Sequence, residues 1–394
     1  MSAKLAVVIP LGITQTLAWA SSYYLLAILA EPIAHDMRMP STAVFAAFSA
    51  ALLISAVIGP HVGRTIDRFG GRLILMFSNV CFALGLALLA AAQSWPLLCL
   101  AWLFIGIGMG TGLYDAAFAA LARLYGVAAR SPITSITLMA GFASTVGWPL
   151  TAWGLDNLGW RETCLGWALA HLLIGIPLNA RLPNAEGLPS VDDRPEAPVL
   201  ALDRTMWLLA FAFAAGWTIS TAMAAHLPRL LESAGASPAQ ALLAGILIGP
   251  AQVAARLADV LFLQRFHPLL SARVAAVLHP LGAGLLTFGA GAVPAFVLLH
   301  GAGNGILTIA RGSVPLALYG PVNYGYRLGI LGAPSRMAQA ASPLLFGVLI
   351  DAFGGGAFFF SAALGLAALA SLCMIRTSLH RGQIESGAEA KAQL

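Results

Sequence analysis

The sequence predicts an all-α membrane protein, with 12 transmembrane helices in two pseudo-symmetric six-helix bundles, and three observations predict it. First, the 394-residue chain is 59% hydrophobic and 9% charged, with a mean hydropathy of +0.84; no soluble domain could hide that much apolar surface behind so few charges. Second, the apolar residues fall in continuous runs of roughly 20, the length that crosses about 30 Å of hydrocarbon as helix, whereas a lipid-facing barrel would alternate. Third, the second half repeats the first at an offset of about 190 to 198 residues, which marks a duplicated unit and not a solenoid.

The runs lie at 5–30, 41–62, 73–93, 96–121, 132–154 and 160–180, then at 205–227, 238–262, 273–292, 294–318, 328–350 and 356–376. A lysine followed by an apolar stretch at the very start could suggest a signal peptide. Against that, the segment from Trp19 to Pro32 recurs as Trp217 to Pro228, so the first run is kept as a helix. Gly59-Pro60 with Arg64-x-x-Asp67 recurs as Gly249-Pro250 with Arg256-x-x-Asp259, and Pro149 to Asp156 answers Pro343 to Asp351. Gly108-x-Gly110-x-Gly112 before Leu124-Tyr125-Gly126 recurs as Gly301-x-Gly303-x-Gly305 before Leu318-Tyr319-Gly320. No strand precedes these glycines, so they are helix-packing positions and not a nucleotide loop.

The domains follow: a six-helix bundle at 1–180, a linker at 181–204, a second bundle at 205–376 and a tail at 377–394. The linker carries Pro183, Pro189, Pro195 and Pro198 among acidic residues, which suits a mobile connection. With an even number of crossings, 18 lysines and arginines fall on the side of the termini and only Arg38, Arg161 and Arg229 on the other. The positive-inside bias makes that side cytoplasmic. The basic balance is therefore topological, and nucleic acid is excluded as a partner. Cys81, Cys99, Cys164 and Cys373 are scattered over four helices and read as buried apolar residues; neither a metal site nor a cofactor is expected.

Gly63-Arg64-Thr65-Ile66-Asp67-Arg68-Phe69-Gly70-Gly71-Arg72, between the second and third runs, resembles the signature loop of the major facilitator superfamily. Twelve helices in two halves, a long central loop and a degenerate second signature at Arg256 and Asp259 extend that resemblance over nearly the whole chain. In such a loop Asp67 can sit near the positive end of a neighbouring helix, while Arg68 and Arg72 hold carboxylates or lipid headgroups. Asp67, Arg68, Arg72, Arg256 and Asp259 are accordingly gating candidates. Gly141 to Pro149 looks like a loose Gly-Pro antiporter motif, although Trp148 intervenes; Leu103 stands near the place where drug antiporters of the family carry an arginine.

The resemblance implies that the first, fourth, seventh and tenth helices line a central cavity. Gln15, Trp19 and Tyr23 on the first helix would offer it amide, indole and hydroxyl donors. Asp115, on the fourth, is the acidic residue placed well inside a membrane segment, which makes it a functional candidate by default. It could carry a proton as access alternates or form a gate with Arg311, three residues beyond its repeat-equivalent Thr308. His300 and Asn304, four apart on the tenth helix, are further substrate or proton-coupling candidates, and His226 closes the seventh.

No cluster of nucleophile, base and metal ligands supports an enzyme. The absence of an ATP-binding loop leaves an ion or solute gradient as the energy source. Local strings around Thr14 to Tyr24, Gly112 to Phe118 and Gly141 to Pro149 look like a bacterial subgroup that includes arsenite-efflux transporters. The resemblance implies a monomer in the bacterial inner membrane with both termini cytoplasmic, contacting lipid, protons and a small-molecule substrate. Proton-coupled efflux of arsenite is the expectation; uptake of a monocarboxylate or other small organic anion with a proton, or drug efflux, are the alternatives.

Overall fold

The computed structural model describes residues 3–184 and 202–376; most of the expected linker and the whole tail at 377–394 lie outside them. Among the described residues every regular element is helical. Ten helical runs are long and apolar enough to cross a membrane, and two of them, Trp95–Asn157 and Tyr324–Met374, are 63 and 51 residues long. A single crossing needs roughly 20.

The first predicted run divides into α1 (Ala3–Ser21) and α2 (Leu26–Asp36). Ser21 and Ser22 turn their hydroxyls back onto the Leu17 and Ala18 carbonyls, competing with the backbone ladder, and Tyr24 N reaches Trp19 O instead. α3 (Ser41–Phe69) runs well past the expected end at 62. The signature segment is thus helical as far as Phe69, and the turn is confined to Gly70-Gly71, where Gly70 takes φ 86°, a conformation open to glycine.

After α4 (Arg72–Ala90), the fourth predicted run breaks at Leu113 into α5 (Trp95–Gly112) and α6 (Tyr114–Tyr125). The Gln15 amide donates to the Gly112 carbonyl at 2.6 Å, satisfying a group that the break sets free. α7 (Arg130–Ala140) and α8 (Ala143–Asn157) meet at Gly141-Phe142, and α9 (Trp160–Ala170) passes through a π-helical turn at His171–Gly175 into α10 (Ile176–Ala180). The second half is more regular: α11 (Arg204–Ser233), α12 (Pro238–Ala258), α13 (Pro268–Leu285), α14 (Val293–Tyr319), α15 (Tyr324–Phe353) and α16 (Ala357–Met374). Asp203 caps α11 by accepting from Met206 N at 2.8 Å, and a Ser237/Gln240 capping box starts α12, each worth about 1 kcal/mol.

The two halves of the chain meet along α3 and α15. Gly59 packs on Gly329 and Gly63 on Gly325; a Cβ at Gly63 would lie 2.0 Å from the Gly325 carbonyl oxygen, so only glycine permits this backbone approach. At the end of this seam Asp67 accepts from Gly325 N (2.9 Å) and Tyr326 N (2.8 Å). The N-cap of α15, Asn323, is left-handed and makes no capping bond with its side chain, so the cap is supplied by the other half of the chain. Arg64 lies over the Tyr326 ring at 4.1 Å beside it.

Candidate functional site

Asp115 opens the first turn of α6 immediately after the break at Leu113, where the positive end of the helix dipole favours a carboxylate. Its Oδ2 is shared by two guanidiniums, Arg311 Nη2 of α14 at 2.8 Å and Arg336 Nη2 of α15 at 2.5 Å. Arg336 also donates to Ser55 on α3. Gly332, one turn before Arg336, leaves the room: a Cβ there would stand 2.9 Å from Asp115 Oδ2 and 3.0 Å from Arg311 Nη2.

This triad lies on one wall of a cavity with about 330 Å³ of space not filled by protein atoms. Trp19, Tyr23, Tyr114 and Trp217 supply aromatic walls, and Gln339 adds an amide. Trp19 and Trp217 are equivalent positions of the repeat; Trp19 packs on Tyr23 and Tyr114 at ring separations of 5.4 and 4.9 Å, and Arg311 sits 5.5 Å from the Trp217 ring. Three buried atoms on the lining residues, Trp19 Nε1, Arg311 Nε and Asp115 Oδ1, have no hydrogen-bond partner among the described residues. Two of these are donors, and with two arginines against one carboxylate the cavity holds a net positive charge. A solute rich in acceptor oxygens would satisfy both conditions.

The other predicted residues fall in three places. Trp19, Tyr23, Asp115 and Arg311 share the cavity, whereas Gln15 is buried behind it on the α5–α6 break. His300 and Asn304 are not there: they line a second cavity within the second half, because the face of α14 that carries them turns toward α11 and α13. His226 Nε2 bonds to the Pro343 carbonyl at 2.8 Å. Asp67 forms the cap at the end of the α3–α15 seam, Arg72 opens α4, and Arg68 lies in the last turn of α3.

Several charges read as facing the cytoplasm are in fact enclosed. Arg256, Arg311, Arg327 and Arg336 are only 4, 7, 7 and 7% exposed, and Asp259 1%. Arg256 and Asp259 therefore do not form a surface loop: Arg256 reaches across to the Thr137 carbonyl of α7 at 3.1 Å and to Gly305 O at 3.3 Å, in space that exists because Gly141 has no Cβ. Arg336 is the functional candidate that sequence reasoning missed. Its signal was available, since it is the ninth residue of the apolar run 328–350, where an ionisable residue is costly.

A family model described as Major Facilitator Superfamily matches residues 11–309. The chain is 27% identical over 362 residues to the "Probable sulfoacetate transporter SauU" of Cupriavidus necator, covering 84% of this chain and 83% of that protein. It is 31% identical over 114 residues to the "Multidrug resistance protein fnx1" of Schizosaccharomyces pombe, but this covers 29% of the chain and only 21% of that protein's length. Two solved structures share the fold. The human organic anion transporter MFSD10 (TETRAN) superposes with a TM-score of 0.74 at 17% identity, over 94% of this chain and 100% of that one. The proton:xylose symporter XylE bound to 6-bromo-6-deoxy-D-glucose gives 0.72 at 16% identity, over 95% of each.

Proposed function

The chain belongs to the Major Facilitator Superfamily, and from that premise we propose that it is a secondary transporter of a small organic anion bearing a carboxylate or sulfonate. It is a transporter and not an enzyme. The observation that carries the substrate class is one carboxylate, Asp115, held by two buried guanidiniums at 2.8 and 2.5 Å on the wall of an aromatic cavity. When the cavity is empty Asp115 neutralises one arginine charge, leaving the other as an uncompensated buried cation that costs several kcal/mol. A bound anion supplies the missing charge, and the Trp19 indole N–H and Arg311 Nε–H provide donors already desolvated for it. Competition between the solute and Asp115 for the same guanidiniums keeps binding weak enough for release.

In this reading the two long runs each hold two crossings, giving twelve in all. Residues 1–180 rock against 205–376 around the cavity, with 181–204 as the linker and 377–394 as a tail. The molecule works as a monomer in a bacterial inner membrane with both termini in the cytoplasm. Its long relative is named for sulfoacetate and one of its structural neighbours for organic anions, which supports the same class. Arsenite is a small neutral trihydroxide at neutral pH; it gains little from a net positive cavity, and none of the four cysteines is among the lining residues. The expected arsenite efflux thus yields to the organic anion.

The test is uptake by the purified full-length chain in proteoliposomes, offered radiolabelled sulfoacetate, lactate or arsenite in parallel. Saturable uptake of an organic anion, cut at least tenfold in Arg311→Gln, is the expected result. Arsenite accumulation without organic-anion uptake would restore the efflux reading.

A further inference from the structure

The second cavity, with about 430 Å³ of unfilled space, lies among α11, α13, α14 and α16 and takes no part in holding the anion. Two imidazoles stand on its wall. His279 Nδ1 of α13 faces His300 Nδ1 of α14 at 3.0 Å, and His279 Nε2 faces Ser361 Oγ of α16 at 3.0 Å. Ser361 donates its own proton to the Phe358 carbonyl at 2.8 Å, so it accepts from His279 Nε2–H. His279 Nδ1 is then the acceptor and His300 Nδ1–H the donor.

His300 Nε2 is left as the open acceptor of the pair; no described group bonds to it. A proton added there leaves the Nδ1–H···Nδ1 bond intact and makes it charge-assisted. Phe296 lies stacked on His300, with an interplanar angle of 10° and a centroid separation of 5.8 Å, a geometry that tolerates a cationic ring.

The first half of the chain shows what a structural histidine looks like in this fold. His171 is bonded at both nitrogens, Nδ1 to Asn79 Oδ1 at 2.8 Å and Nε2 to Ser21 Oγ at 2.7 Å, leaving no open site. The second-half pair differs in having a partner ring, an open nitrogen and a cavity beside it.

We propose that the His279–His300 pair is the proton-binding site that couples transport to a proton gradient. The proposal rests on the anion reading only for what is coupled to the proton. α13 contributes one charged group near the cavity, Arg273, whose guanidinium is engaged at the far end by the Leu372 and Ile375 carbonyls. Neither α11 nor α16 presents an acid or base to the rings, and α14 presents only His300 and the neutral Asn304, which accepts from Ser220 at 2.7 Å. A proton on the pair is therefore an uncompensated buried charge in this conformation. It favours a conformation in which the cavity is wetter, and a ligand that binds one of two states better shifts the equilibrium toward that state. The link to the anion is α14 itself: His300, Asn304, Thr308 and Arg311 are four, four and three residues apart, so the pair and the anion-holding arginine are about 16 Å apart along one helix.

Two measurements on the full-length chain test it. The first is ¹⁵N-histidine NMR of the protein in nanodiscs, titrated from about pH 5 to 9. The expected result is a far-downfield Nδ1–H···Nδ1 proton signal and two rings that titrate as one coupled unit, both lost in His300→Gln. Independent titration of the rings, or no shared-proton signal, overturns the proposal whatever the solute is. The second compares accumulation of radiolabelled sulfoacetate driven by an imposed proton gradient with its exchange at equal pH. His300→Gln and His279→Asn should each lose at least tenfold in accumulation with exchange reduced far less, and that exchange also reports correct folding. Undiminished accumulation in both variants overturns the proposal. Absence of wild-type exchange sinks the anion reading instead and leaves the NMR result to decide the pair.

Discussion

Replacing Asp67 by Asn should unlatch the seam between α3 and α15. The carboxylate receives two backbone N–H groups, Gly325 at 2.9 Å and Tyr326 at 2.8 Å, both in the first turn of a helix whose own N-cap residue makes no side-chain capping bond. A hydrogen bond to a charged group is worth about 1.5–3 kcal/mol and a neutral one about 1. Asparagine keeps one acceptor oxygen, loses the charge and turns an NH₂ toward the second amide. The net loss is therefore about 2–3 kcal/mol, part of it the helix-dipole contribution. Because the donor and acceptor belong to different halves of the chain, this loss falls on the equilibrium between joined and separated halves and not on the folding of either. At 1.4 kcal/mol per factor of ten, the joined state should lose roughly 30- to 140-fold in relative population. Double electron–electron resonance between spin labels at the exposed Val127 and Leu270 would read it as a longer-distance population absent from wild type. An Asp67→Asn distance distribution identical to wild type would refute the latch.

Gly63→Ala should have a similar but stronger effect, since its Cβ would meet the Gly325 carbonyl oxygen at 2.0 Å; Gly166→Ala, with nothing within 4 Å, serves as the control in the same distance measurement. Asp115→Asn removes the counter-charge from both arginines. Sulfoacetate should then bind about tenfold tighter or more and turn over more slowly, so that KM and kcat fall together, whereas a raised KM would contradict the competition between solute and Asp115. Arg336→Gln leaves Asp115 and Arg311 as a neutral buried pair, so the thermal unfolding midpoint in detergent should be unchanged or raised while sulfoacetate uptake falls at least tenfold; a markedly lowered midpoint would contradict the uncompensated charge in the empty cavity.

Much of the scaffold was legible in the chain because lipid imposes local rules. A run of apolar residues must be helical to satisfy its backbone, so the spans could be read, and their ends were missed chiefly where a helix continues past its apolar stretch, as α3 does to Phe69. The break at Leu113 was not legible, because nothing in Gly112-Leu113-Tyr114 forbids helix; it is supported from α1 by the Gln15 amide. Asp115 and Arg311 stood out as charges in apolar runs, while Arg336 was lost among basic residues counted as loop charges.

What the sequence by itself determined is therefore the helical membrane class, the duplication and the family, all of which are written in composition, period and one short motif. What only the tertiary structure decided is which side chains meet. Arg336 lies 221 residues from the carboxylate it touches, His279 lies 21 from His300, and His300 turns away from the cavity that Arg311, eleven residues later on the same helix, helps to line. A charge in a membrane helix announces that it needs a partner, but the partner sits on another helix, and helix rotation and packing, set by contacts such as Gly59 on Gly329, choose it.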